Sequence, residues 1–62
     1  QGQLVGVEVK TSKRVSLSDA DGLRALQVQA PREFRGGVIL YDGTEPMRLW
    51  QDIVALPWWS VL

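Results

Sequence analysis

Glu8 and Lys10 are the residues whose types and spacing best suit chemistry, because they interrupt an apolar strand pattern over residues 4–10, LVGVEVK. Alternate side chains of a strand share a face, so this acid and this amine lie side by side, opposite the face that carries three valines. A carboxylate placed there can hold a divalent cation, while the ammonium positions an attacking water or stabilises the charge of a phosphorane. The pair therefore suggests metal-dependent phosphodiester cleavage. A solvent-exposed strand face shows the same alternation and is the structural alternative.

A strand-helix-strand unit must position this pair. Ser16 and Ser18 are each followed three residues later by an Asp, a spacing that resembles a helix capping box. The apolar spacing predicts a helix from about residue 19 to about residue 29, and Pro31 marks its end because the residue before proline avoids the helical conformation. Residues 37–41 are apolar on both faces, which is typical of a central strand covered on two sides. A right-handed crossover then makes the first strand its parallel neighbour.

The rest of the chain predicts an antiparallel hairpin. Asp42-Gly43 is a strong two-residue hairpin signal, and it should turn the chain into an antiparallel strand over residues 44–50. Gln51-Asp52 is a second turn signal before a short strand over residues 53–56, and Pro57 then opens an irregular or single-turn helical tail. The predicted fold is therefore α/β, a β-α-β crossover followed by an antiparallel hairpin and a short C-terminal strand or turn.

Composition narrows the function classes. The 62 residues form one small α/β domain, residues 1–62, and seven basic and seven acidic residues give zero net charge and no overall nucleic-acid signature. The absence of Cys and His excludes the usual zinc sites, so a metal here would need oxygen ligands. No apolar run approaches the roughly 18 residues of a membrane-spanning helix and no leader opens the chain, so we expect a cytoplasmic location and no membrane partner. The three Trp and the abrupt ends suggest a piece of a longer polypeptide, or half of an intertwined oligomer.

Nearly the whole chain resembles a known family on a set of short motifs. These are the strand VGVEVK at residues 5–10, TSK at 11–13, a capped helix, RGGVILYDG at 35–43 and ALP at 55–57. The pattern looks like the C-terminal piece of prokaryotic AAA-type ATPases whose last domain resembles PD-(D/E)XK nucleases and Holliday-junction resolvases. The resemblance implies a partial restriction-endonuclease-like core.

The resemblance also implies roles for the acid and the amine. Glu8 matches the metal-binding catalytic carboxylate, and Lys10 matches the catalytic lysine. The pattern further requires an Asp on an earlier strand, which nothing before Glu8 supplies. We therefore expect no cofactor in this chain, Mg²⁺ or Mn²⁺ in the parent protein, and no complete catalytic site in these residues alone. No Gly-rich phosphate loop occurs here, so ATPase activity would belong to the rest of the parent.

Four basic residues are candidate phosphate contacts, which makes DNA a candidate partner. The alternative is that they are solvated loop charges flanking opposite ends of the crossover unit. The candidates are Lys13, Arg14, Arg32 and Arg35. Trp58 and Trp59 suit base stacking in principle, but no basic residue follows Arg48, which favours core or interdomain packing.

Two functions follow from these patterns. The first is a C-terminal nuclease-like domain fragment of an ATP-binding protein, DNA-associated and catalytically incomplete alone. The alternative is a non-catalytic interaction or dimerisation module whose partner is the remainder of the parent chain or a second copy. Its apolar contact would involve the exposed edge of the first strand or the tryptophan tail.

Overall fold

The protein folds as a mixed α/β domain with a four-stranded sheet and one α-helix. This fold comes from a computed structural model, which describes residues 2–61. No helix in that part of the chain is long and apolar enough to span a bilayer. The elements are β1 (Leu4–Val9), a 3-10 turn (Leu17–Ala20), α1 (Asp21–Gln29), β2 (Phe34–Tyr41), β3 (Met47–Trp50), β4 (Ile53–Pro57) and a C-terminal 3-10 turn (Trp58–Val61).

The sheet has the order β1-β2-β4-β3. β1 pairs in parallel with β2, which confirms the predicted strand-helix-strand neighbours, and β2 pairs in parallel with β4. β3 lies at the far edge and is antiparallel to β4. The tail after Pro57 forms the predicted single helical turn.

The predicted hairpin at Asp42-Gly43 is wrong. The favoured two-residue hairpin turns need positive φ values, and no residue in the described range has one. β4 occupies the edge of β2 that a hairpin partner would have used. Gly43 is instead buried beside the ring of Tyr41, where a Cβ atom would collide. The antiparallel hairpin joins β3 to β4 at Gln51-Asp52, where the second turn was predicted.

The helix boundaries follow their local signals. The backbone N–H of Ser16 donates to the Asp19 carboxylate at 2.7 Å, so the predicted cap opens the 3-10 turn that leads into α1. The N–H of Ala30 closes α1 by donating to the carbonyl of Leu26, and Pro31 follows. The predicted helix is therefore confirmed, with its first turn in 3-10 geometry.

The core lies between α1 and one face of the sheet. Leu23 of α1 sits directly over Gly6 of β1 and Gly37 of β2, which are paired in register. A Cβ atom on Gly37 would lie 2.9 Å from Leu23 Cδ1, and one on Gly6 would be closer still to Leu23 Cδ2. The two glycines let the helix approach the sheet closely. The buried hydrophobic residues are Ala20, Leu23, Phe34, Ile39, Tyr41, Leu49, Ile53 and Ala55.

The face of the sheet opposite α1 is only partly covered within residues 2–61, since its β1 side chains are exposed and its β2 and β4 side chains are half-buried. β2 is the central strand as predicted, but only its helix-side residues are buried, so the expected cover on two faces is present on one. The side chains of β1 on this side are 61%, 63% and 70% exposed. We call this surface the open face, and its members are Val5, Val7, Val9, Val38, Leu40, Val54 and Leu56.

A side chain at position 6 tests the close helix contact. Gly6→Val should lower the free energy of unfolding by about 1–3 kcal/mol, because the added group overpacks the Leu23 contact. Valine favours strands, so intrinsic propensity acts in the opposite direction. Gly2→Val is the matched control, since nothing lies within 4 Å of a Cβ there. Urea unfolding measures both, and an equal loss in the two variants would contradict the packing argument.

Candidate functional site

Glu8 lies on the helix side of the sheet, near the start of α1. It is paired in register with the buried Ile39, yet its own side chain is exposed. Its Oε1 atom would be 3.4 Å from a Cβ on Gly22, the second residue of α1. A carboxylate at that position suits the positive end of the helix dipole. Among the described residues Glu8 has no hydrogen bond or ion pair of its side chain.

Lys10 follows the last residue of β1 and continues its ladder, since its N–H donates to the carbonyl of Leu40 at 2.8 Å. Its ammonium does not pair with Glu8. Lys10 Nζ lies 2.5 Å from Asp19 Oδ2, and both side chains are partly buried. The fold therefore connects the predicted catalytic lysine to an aspartate that the sequence had explained by capping alone.

Asp19 both caps the 3-10 turn and forms the ion pair with Lys10. Its Oδ2 atom accepts from the N–H of Ser16 at 2.7 Å and from the hydroxyl of Ser16 at 3.3 Å, in addition to the ammonium of Lys10. The hydrogen bond from Lys10, followed by that from the Ser16 backbone, lowers the pKa of Asp19 below its ordinary value of 3.8. The ion pair ties the end of β1 to the turn that starts the helical segment.

The described residues contain no group of three or more Asp, Glu, His or Cys side chains arranged to hold a metal ion. Glu8 is the residue of the predicted site whose carboxylate remains open to a cation. Its metal role and the catalytic role of Lys10 stay predictions.

The four basic candidates do not form one patch. Lys13 and Arg14 follow the carboxyl end of β1, whereas Arg32 and Arg35 lie at the amino end of the parallel β2. All four are exposed, and Arg35 donates to the carbonyl of Arg32 at 3.0 Å. Only Lys13 and Arg14 lie at the same end of the sheet as Lys10, so DNA contact by them stays a prediction.

A cavity of about 270 Å³ lies at the carboxyl ends of β1 and β2. The indole of Trp58 forms part of its wall and donates to Asp42 Oδ1 at 3.2 Å. Its lining residues are Val9, Lys10, Thr11, Leu40, Asp42 and Trp58. Sequence reasoning missed this cavity, although the carboxyl ends of parallel strands are where α/β sheets commonly bind ligands.

The tryptophans are held by contacts between distant parts of the chain. Trp59 donates from its indole to the carbonyl of Gly43 at 3.2 Å, so the loop after β2 anchors the tail through both tail tryptophans. The third, Trp50 of β3, lies under the guanidinium of Arg24 on α1, with 4.0 Å between the guanidinium carbon and the ring centroid. No local pattern in the sequence signals either contact.

A family model with the description "Domain of unknown function (DUF4143)" matches residues 1–61. This chain belongs to the DUF4143 family. Domains of this family often occur together with AAA ATPases, in agreement with the ATPase part of the resemblance. The match does not extend to a nuclease-like domain, which stays a prediction. No curated protein and no solved structure matches the chain significantly.

In this DUF4143 domain, the Lys10–Asp19 pair should make stability depend on pH in acid. Because the folded-state pKa of Asp19 is below 3.8, its contribution is complete above that value and is lost as pH falls through the lowered pKa. Asp19→Asn should therefore be less stable than the wild type at neutral pH, and the difference should shrink in acid.

Urea unfolding at neutral pH and below pH 3.8 measures this difference. Asp52→Asn is the control, because Asp52 is an exposed turn residue without an ion pair in residues 2–61. A difference between Asp19→Asn and the wild type that is the same at both pH values would contradict the role of the ion pair.

Proposed function

We propose that this DUF4143 domain is an interaction module of an AAA-type ATPase, and that its open face packs against another segment of the parent polypeptide. The observation that carries the proposal is the exposure of the β1 valines, which are 61%, 63% and 70% accessible on one apolar surface. Parallel strands are normally covered on both faces, and contiguous exposed apolar patches mark interaction sites. Here α1 covers one face only.

The size of the open face supports a tethered segment over a second copy. Three strands spaced about 4.8 Å apart and five residues long at about 3.3 Å each give a flat area of about 240 Å². A stable complex of separate proteins typically buries about 800 Å² on each partner. A segment of the same polypeptide loses less translational freedom on docking, so a smaller surface suffices. One helix, about 10–12 Å in diameter, covers most of this width.

The free edge of β1 adds a second point of attachment. Leu4 and Lys10 direct their N–H groups to carbonyls of Glu33 and Leu40, on the β2 side. In a parallel ladder alternate residues bond to the same neighbour, so the valines between them direct their backbone groups away from β2. Such an edge accepts an added strand by backbone hydrogen bonds.

A charge on the open face should release the docked segment. Val7→Glu in the intact parent polypeptide should raise amide exchange over residues 4–10 roughly tenfold or more, because the interface would have to bury a carboxylate without a partner. Val28→Glu is the matched control, since Val28 is 77% exposed on α1, away from this face. Mass-detected hydrogen exchange measures both variants.

Equal exchange in the two variants would count against docking on the open face. Sedimentation of the isolated 62-residue chain tests whether a second copy of the chain packs on the open face instead. A dimer that Val7→Glu dissociates and Val28→Glu leaves intact would replace the tethered segment by a second copy.

The second candidate is the nuclease-like domain implied by the resemblance, with a restriction-endonuclease-like core and a DNA substrate. The exposed Glu8 carboxylate supports it, since its side chain has no hydrogen bond or ion pair among the described residues. The free edge of β1 is also where a strand carrying the required Asp would pair. Glu8 would then hold Mg²⁺ or Mn²⁺, and Lys10 would have to exchange Asp19 for the substrate. Lys13 and Arg14 would contact DNA at the same end of the sheet.

Manganese binding tests this candidate directly. Paramagnetic broadening of amide signals over residues 7–11 should appear when Mn²⁺ is added to the chain, because a carboxylate oxygen is a suitable ligand for this ion. Glu8→Gln should abolish that broadening, whereas Glu45→Gln, in an exposed loop, should leave it unchanged. Broadening that survives in Glu8→Gln would sink the assignment of Glu8 as the metal ligand.

A further inference from the structure

We infer that the cavity at the carboxyl ends of β1 and β2 binds a bulky apolar group that carries a cation, as an apolar anchor followed by an ammonium or guanidinium would. This inference rests on the proposed docking function, since the natural occupant would be the anchor of the docking segment. The cavity is separate from the carboxylate of Glu8, which does not line it.

The apolar lining residues and the volume of the cavity favour one large apolar group as the ligand. Val9 and Leu40 contribute aliphatic side chains, and Trp58 contributes an indole that is 46% exposed. The volume of about 270 Å³ lies just below the range of about 300–1,000 Å³ that is usual for drug-sized ligands. A phenyl ring or a branched aliphatic side chain is therefore a better match than an extended cofactor.

The charges of the residues that line the cavity favour a cationic ligand. Lys10 is already neutralised by Asp19, the one ion pair found within residues 2–61. Asp42 receives a hydrogen bond from the neutral indole of Trp58, and no cationic side chain of the described chain pairs with it. The Asp42 carboxylate is thus the uncompensated charge of the cavity, and a cationic ligand complements it.

The position of the cavity connects it to docking. Val9 and Leu40 belong both to its lining and to the open face, so a segment lying along that face reaches the cavity at its end. Interfaces concentrate binding energy in a few large anchors that fill such pockets. The cavity would therefore fix the register of the docked segment along the strands.

Three small probes of one shape test the inference on the 62-residue chain. They are 3-phenylpropylammonium, the neutral 3-phenylpropan-1-ol and the anionic 3-phenylpropanoate, followed by NMR. The ammonium should bind with a dissociation constant of the order of 1–10 mM, as expected for a fragment of this size. It should bind about two- to fivefold more tightly than the alcohol, because Asp42 is exposed and its attraction is screened.

The shifted signals should be the methyl groups of Val9 and Leu40 and the indole N–H of Trp58, while the indole of Trp50 serves as an internal control. Asp42→Asn keeps an oxygen that can accept from Trp58 but removes the charge. This variant should bind the ammonium no more tightly than the alcohol. Asp52→Asn is the matched control and should keep the preference.

Each outcome decides the inference. Equal affinity for all three probes, tighter binding of the anion, or shifts that spare Trp58 would overturn it. An ammonium preference that persists in Asp42→Asn would also overturn it. These results are independent of the exchange experiment with Val7→Glu, so the open face can prove to be the docking surface while the cavity does not hold the anchor, and the two failures are distinguishable.

Discussion

The close approach of Leu23 to the paired glycines Gly6 and Gly37 is the contact on which the rest of this fold depends. It brings a short helix of nine residues directly onto two parallel strands, so that most of the burial occurs on one side of the sheet. The same contact places the start of the helix beside Glu8. The ion pair of Lys10 with Asp19 then ties the end of β1 to the turn before the helix.

Packing of the helix on one side of the sheet explains where this domain buries its apolar surface and where it exposes it. A chain of 62 residues buries only about 60% of its unfolded surface, and here that burial is concentrated beneath one helix. On the opposite, valine-rich face of the sheet, the β1 side chains stay exposed within residues 2–61. The tail is held through Trp58 and Trp59 on the loop after β2, which shapes a cavity at the border of the open face. The free apolar surface, the free strand edge and the cavity are therefore continuous.

The arrangement also clarifies what the acid and the amine of β1 do in this fold. Lys10 is engaged by a carboxylate, while Glu8 is exposed near the helix start. A catalytic use of the pair would need a further carboxylate and an exchange of partners at Lys10. An interaction role needs only the surface that is already formed. For this reason assembly is the first proposal for this DUF4143 domain and cleavage the second.

Local chemistry in the sequence was sufficient for β1 and the capped helix, because alternation, capping and proline effects act over a few residues. It found β2 but missed its first three residues, since the strand begins at Phe34. The parallel pairing of β1 with β2 followed from the crossover rule. The sequence also proposed Glu8 as a metal ligand, which stays a prediction. The hairpin predicted at Asp42-Gly43 was wrong, because β4 occupies the edge of β2 and Gly43 packs beside the ring of Tyr41. Only the tertiary structure decided which partner Lys10 takes, which face of the sheet stays open and where the cavity lies. The physical reason is that these features join residues far apart in the chain, whose contacts no local pattern specifies.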